Sequence, residues 1–238
     1  MPPAPRIALI GGGFSDDPDT LLDDWVLSLT GAARPRVCFL PTASGDAAGY
    51  VDKFEAAFAA PGRDCEPSVL SLFRRDERDL RSFVLAQDVL YVGGGNTANL
   101  LALWRLHGLD AILRDAYHRG VLLCGISAGA CCWFEACVTD SFGPPAPLAD
   151  GLGLLPGAFC PHYDSEPLRH HALRDAVRDG SLPAVWALDD GAAALFTDGA
   201  LGEVVARREG AGLHRIAREA EGGGVREVPT WGRVLGRH

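Results

Sequence analysis

Basic residues are the minority charge in this chain. Lysine and arginine number 22 against 31 aspartates and glutamates, a formal charge of −9. A nucleic acid or an anionic membrane needs a cationic face, so neither is expected as a partner. No run of like charge is long enough for a disordered tail. The seven cysteines (38, 65, 124, 131, 132, 137 and 160) contain no CxxC pair, and their odd number offers no disulfide framework. Buried free thiols in a reducing cytoplasm are the expectation. Grouping Cys131, Cys132, Cys137 and Cys160 with His162 as a zinc site lacks the usual ligand spacing, so no metal is expected. The first apolar run, Ile7 to Ile10, is too short for a signal peptide. Residues 120–138 carry one charge, Glu135, and are long enough to span a bilayer. Glycine and serine interrupt them and no basic flank follows, so a buried strand and a helix are predicted instead. With no repeat, low-complexity linker or boundary in view, one domain over residues 1–238 is expected.

What is present is an ordinary globular mixture, 47% hydrophobic and 22% charged over 238 residues, enough for a core without staples. Short apolar runs at 6–10, 37–40, 68–72, 88–92 and 121–124 read as strands. Helical spacing appears around 18–30, 48–59, 76–84, 97–106 and 109–118. Alternation of this kind predicts an α/β fold with a mostly parallel sheet flanked by helices. Ligands of such sheets bind beyond the carboxyl ends of the strands. Three turns rich in glycine or serine, at 11–13, 93–97 and 125–129, fall there. After residue 140 the pattern weakens to a Pro-rich loop, a helix at 168–177, strands at 183–188 and 192–196, and an antiparallel edge from 199 onward.

Gly125-Ile126-Ser127-Ala128-Gly129 matches G-x-S-x-G. In a nucleophile elbow the glycines permit a tight strand-to-helix turn that lifts the serine hydroxyl above the sheet, and the next N–H, here of Ala128, faces the developing oxyanion. The bland alternative is a serine filling a core bend. A serine nucleophile needs a base and an orienting acid. His162, in Pro161-His162-Tyr163, is the candidate base; the alternative is a capping or surface histidine. His107 and His118 belong to helix ends, His170 and His171 to a helix face, and His214 and His238 to the weakly patterned C-terminal region. Asp140 is the candidate acid, with a turn-capping role as its alternative. Glu135, eight residues beyond Ser127 along the expected helix, would sit about 12 Å away by helical rise. Gly93-Gly94-Gly95-Asn96-Thr97 fits neither phosphate-loop pattern. Gly94 or Gly95 would instead supply a second oxyanion N–H, and Asn96 would cap the following helix.

The segments GGGNTANLL, GISAGA and PHY, in that order, with the openings RIALIGGG and VCFLPTAS, resemble the peptidase E family of serine peptidases, which includes aspartyl dipeptidases and cyanophycinase. The resemblance covers roughly the first 170 residues. It implies a class I glutaminase-like (flavodoxin-like) three-layer α/β sandwich and a Ser–His–acid triad. Ser127 would be its nucleophile and His162 its base, with Gly94, Gly95 and Ala128 around the oxyanion and no cofactor. The family acid lies slightly further past the serine than Asp140, at Phe142 in an ungapped match, and Glu135 stays open as the alternative. Aspartyl dipeptidases carry an arginine beyond the histidine that pairs with an acidic substrate side chain. Arg169 would be that residue, although it follows His162 more closely, or else a helix-surface arginine. The expected function is cleavage of short peptides after an N-terminal Asp. Two other readings are an α/β-hydrolase esterase using Asp189 or Asp190 with His214, and a catalytically silent ligand-binding domain. The oligomeric state is open, a homodimer included.

Overall fold

The first sheet is built from short runs that, at its centre, are apolar on both faces. They are β1 (Arg6–Ile10), β2 (Arg36–Leu40), β3 (Glu66–Val69), β4 (Val89–Val92) and β5 (Leu122–Ile126). A computed structural model describes residues 3–76, 78–220 and 223–236 of the chain; His238 lies outside them. The five strands pair in parallel in the order β3-β2-β4-β5-β1. Pro67 is tolerated in β3 because that strand is an edge. The intervening helices are α1 (Leu21–Ser28), α2 (Ala48–Phe58), α3 (Leu80–Leu85), α4 (Thr97–His107) and α5 (Leu109–His118). Asn96 caps α4 as expected, its Oδ1 accepting the Asn99 N–H at 2.9 Å, and Gly108 ends that helix at φ 66°.

The chain past the G-x-S-x-G turn departs from the sequence-based expectation. The helix after Ser127 is one turn, α6 (Ala128–Cys131), and the backbone then extends into β6 (Phe134–Thr139). There follow β7 (Ala146–Leu148), β8 (Leu155–Cys160), α7 (Pro167–Asp179), β9 (Val185–Leu188), β10 (Ala192–Thr197), β11 (Ala200–Ala206), β12 (Gly212–Arg218), β13 (Val225–Trp231) and β14 (Arg233–Val234). Strands β10, β11 and β14 extend the first sheet beyond β1, with β10 antiparallel to it. A second, mixed sheet runs β13-β12-β9-β8-β6-β7, with β6, β8 and β9 parallel. The α/β architecture with a parallel centre is as predicted; the second sheet is an addition to it.

Alternation along the strands sorts the core. Ala8 and Ile10 of β1 face Trp25 of α1 and Phe54 and Phe58 of α2, while Ile7 and Leu9 face the layer that holds α4, α5 and α6. Phe134, Phe159 and Leu213 of the second sheet join this latter cluster, so one continuous core lies between the sheets. The outer face of the second sheet is covered by α7 through Leu173 and Val177. All seven cysteines are buried and unpaired. Among the described residues no helix is long and apolar enough to cross a membrane. The run around 120–138 is strand, single turn and strand.

Candidate active site

Ser127 occupies a backbone conformation that side chains rarely adopt, φ 52° and ψ −113°. Such strain persists only where the surroundings enforce it, and here they do. A Cβ on Gly125 would lie 2.0 Å from the Gly129 carbonyl oxygen, and one on Gly129 would lie 2.3 Å from that of Val92. Both motif glycines are therefore required by the close approach of backbone. The Ser127 carbonyl accepts from the N–H groups of Ala130 and Cys131, each at 2.9 Å, which closes the turn.

The carboxyl ends of β1, β4 and β5 meet at one edge of the first sheet, and an open cleft lies there. Ser15, Asp16, Tyr50, Gly94, Gly95, Ile126, Ser127 and His162 line it. His162 follows β8 of the second sheet, also at positive φ (55°). The Tyr163 N–H holds this segment to the Leu188 carbonyl at 3.0 Å. Ser127 and His162 thus reach the same cleft from different sheets.

The carboxylate against His162 is Asp190. His162 Nδ1 lies 2.8 Å from Asp190 Oδ1, and the Ser165 hydroxyl donates to Asp190 Oδ2 at 2.6 Å. With its proton on Nδ1 the ring donates to Asp190 and leaves Nε2 as the acceptor. The hydrogen bond to Asp190 holds the His162 pKa above its usual value, outweighing the opposing effect of burial. Burial pushes the Asp190 carboxyl up, but the bonds from His162 and Ser165 outweigh it and hold the group below the ordinary range. Asp190 sits in the turn between β9 and β10, where its N–H donates to Asp164 Oδ1 at 2.8 Å. Arg208 donates to Asp164 Oδ2 at 2.5 Å and to the Asp190 carbonyl at 3.1 Å. Gly11 admits this turn: a Cβ there would lie 2.2 Å from the Asp189 carbonyl oxygen.

Asp140 and Arg169 are placed elsewhere, and they meet each other. Strand β6 stays extended through Thr139 and delivers Asp140 to α7, where Asp140 Oδ2 is 3.6 Å from Arg169 Nη2. Arg169, only 4% exposed, also donates to Glu166 Oε2 at 2.6 Å and to the Val138 carbonyl at 3.1 Å. Its guanidinium fastens α7 to β6, and it does not line the cleft. Glu135 is on β6 rather than on a helix, and its Oε2 accepts the Gly157 N–H at 2.8 Å. The helical spacing assigned to Glu135 fails because α6 ends after one turn. His214 is buried, with Nε2 3.0 Å from Asp189 Oδ2 and Nδ1 3.0 Å from Glu227 Oε1. The tandem acids Asp189 and Asp190 therefore serve different histidines, and only His162 reaches the cleft.

The Gly94 N–H donates to Tyr50 Oη at 3.1 Å. Gly95, at φ 138°, bends the loop against Ala43, whose carbonyl oxygen a Cβ would meet at 2.2 Å. Of the three N–H groups expected around the oxyanion, those of Gly95 and Ala128 are left without a partner among the described residues. Asp190 was visible in the sequence only within the esterase reading. The signal for its place is an Asp-Asp-Gly turn directly after a buried strand, at a sheet's carboxyl edge.

The family model for peptidase family S51 matches residues 7–204. Over 231 residues the chain is 48% identical to a Bacillus subtilis (strain 168) protein named Uncharacterized peptidase YgaJ, covering 97% of this chain and 98% of that one. Peptidase E of Streptomyces coelicolor is 29% identical over 166 residues, 64% of this chain and 65% of that protein. The crystal structure of a peptidase from an acI-B1 Actinobacterium superposes with a TM-score of 0.69 over 98% of this chain and 96% of that one, at 16% identity, a likeness of fold.

Proposed function

The chain belongs to peptidase family S51 and is a serine peptidase; from that premise we propose that it hydrolyses short peptides through Ser127, His162 and Asp190. The observation that carries the assignment is the 2.8 Å contact of Asp190 with a histidine that shares its cleft with the strained Ser127. His162 Nε2 takes the Ser127 hydroxyl proton as the oxygen attacks the scissile carbonyl carbon. Asp190, at Nδ1, fixes the tautomer and stabilises the imidazolium that forms. The N–H groups of Gly95 and Ala128 hold the oxyanion, and Tyr50 fixes the loop through Gly94. His162 then delivers the proton to the leaving amine, and water hydrolyses the acyl-enzyme by the same route. This chemistry calls for no cofactor. Buried free thiols suit a reducing compartment, and we place the protein in the cytoplasm.

The finer reading, an aspartyl dipeptidase, draws on the relatives named Peptidase E. It requires a cation beside the scissile bond, and Arg169 is engaged between α7 and β6 instead. A panel of Asp-Xaa, Glu-Xaa and neutral dipeptides, run with the native protein and Ser127→Ala, tests both levels. Hydrolysis that falls about 10⁴-fold or more in Ser127→Ala is the expected result for the nucleophile. Undiminished hydrolysis in that variant would sink the assignment. Cleavage confined to Asp-Xaa would restore the aspartyl reading and call for another cation.

A further inference from the structure

Five carboxylates crowd the segment after β1, and four of them are engaged. Asp17 accepts the Gly13 N–H at 2.8 Å and lies 3.6 Å from Arg207. Asp19 pairs with Arg207 at 2.9 Å, Asp23 accepts from Tyr91 Oη at 2.9 Å, and Asp24 pairs with Arg63 at 2.5 Å. Asp16 is the exception: among the described residues no hydrogen bond or ion pair engages its carboxylate. It is also the one of the five that lines the cleft holding Ser127 and His162. Among the described residues no lysine or arginine lines that cleft. Lys53, the chain's single lysine, stands beside it with Nζ donating to the Ser15 carbonyl at 3.1 Å.

From this arrangement we infer that Asp16 is a specificity residue that selects substrates carrying a positive charge on the acyl side of the scissile bond. The inference rests on the reading of Ser127 and His162 as nucleophile and base. Asp16 is exposed, so water solvates its carboxylate in the free protein, and a substrate cation beside it gains the modest energy of a partly solvated ion pair. The same charge repels the acidic side chain that an aspartyl dipeptidase must accommodate, since like-charge juxtaposition is how a site rejects a wrong partner. Two groups carry the required charge: a lysine or arginine side chain at the position preceding the cleaved bond, and the free α-ammonium of an N-terminal residue. Both present an ammonium-type or guanidinium cation within one residue of the reacting carbonyl. The net charge of −9 adds a field of the same sense, drawing cations rather than acidic peptides toward the molecule.

Matched substrates test the inference in native protein and in Asp16→Asn and Asp16→Lys. N-acetylated lysyl and norleucyl peptides differ only in the side-chain cation. Free and N-acetylated norleucyl peptides differ only in the α-ammonium. The native protein is expected to favour the cationic member of one pair by about three- to tenfold in kcat/KM, the scale of a partly solvated ion pair. That ratio should collapse toward one in Asp16→Asn and invert in Asp16→Lys, and the pair affected identifies the source of the charge. Calorimetric binding of the same peptides to Ser127→Ala protein reads the preference without turnover. Charge-selective binding that depends on Asp16 therefore stands even where hydrolysis survives Ser127→Ala and the catalytic reading falls. Equal ratios in native protein and Asp16→Asn would overturn the inference. So would a preference for Asp-Xaa that disappears in Lys53→Met, which would make Lys53 the selecting charge.

Discussion

Asp189 and Asp190 are chain neighbours that hold two different histidines, and the division decides what each does. Asp189 is buried against His214 and the Gly212 N–H, within the packing of the second sheet. Asp190 reaches the cleft edge, where a hydrogen bond to His162 Nδ1 matters for proton transfer. The sign of its effect on pH dependence follows from the pKa shift. The base must be neutral to accept the serine proton, and Asp190 raises the His162 pKa, so activity is expected to climb with pH through a value above 6.5. Asp190→Asn removes the main cause of the shift, and the acidic limb of the kcat/KM profile should move to lower pH. In the same variant kcat should drop by about 10²- to 10⁴-fold, because the amide no longer enforces the tautomer. Asp140→Asn should leave the limb in place, since Asp140 touches Arg169 rather than His162. An unmoved limb in Asp190→Asn, or a shifted one in Asp140→Asn, would reverse the assignment.

At the scale of elements, the elbow works because three pieces of backbone nearly touch: β5, α6 and the end of β4. Gly129→Ala places a Cβ 2.3 Å from the Val92 carbonyl oxygen and 2.9 Å from that of Gly93. The Val92 oxygen belongs to β4 and cannot withdraw without disturbing the sheet. A loss of about 3 kcal/mol or more in urea unfolding is expected. Gly49→Ala in α2 is the control: a Cβ there meets nothing within 4 Å, and the change should stabilise by about 0.5–1 kcal/mol. Equal behaviour of the two variants would count against the close-approach argument. The first half of the chain was legible in the sequence because its strands are continuous apolar runs with sharp ends, such as Val89–Val92 before Gly93. Ser127 and His162 were legible as residue types placed at those ends. The second sheet was not, because residues 128–134 are apolar throughout and carry no period that separates a long helix from one turn followed by a strand. That same ambiguity put Glu135 on a helix and favoured Asp140 as the acid. Asp190 stands 28 residues from His162, and only the pairing of β8 with β9 brings them together.

The molecule as a whole assembles its cleft from both sheets: Ser127 follows β5 of the first, His162 follows β8 of the second, and Asp190 lies in the link from β9 to β10, where the chain crosses between them. Their alignment therefore depends on the core that joins the sheets. Phe196 of β10 is its hinge point, with ring centroids 6.1 Å from Phe134 and 5.6 Å from Trp186, both in the second sheet. Phe134 in turn stacks on Phe159 at 5.2 Å. A buried aromatic shared in this way ties the stability of one sheet to that of the other. The chain should unfold as one domain over residues 1–238, with far-ultraviolet dichroism and tryptophan fluorescence tracing a single urea transition. Phe196→Ala should lower the stability by about 3–5 kcal/mol and move both probes together. Amide exchange read on β5 and on β9 should be accelerated by the same factor, because each opening then exposes both sheets. Faster exchange in β9 alone, or two separated transitions, would mean that the sheets fold as independent units. Activity would then be lost before β5 unfolds, when the second sheet carries His162 away from Ser127.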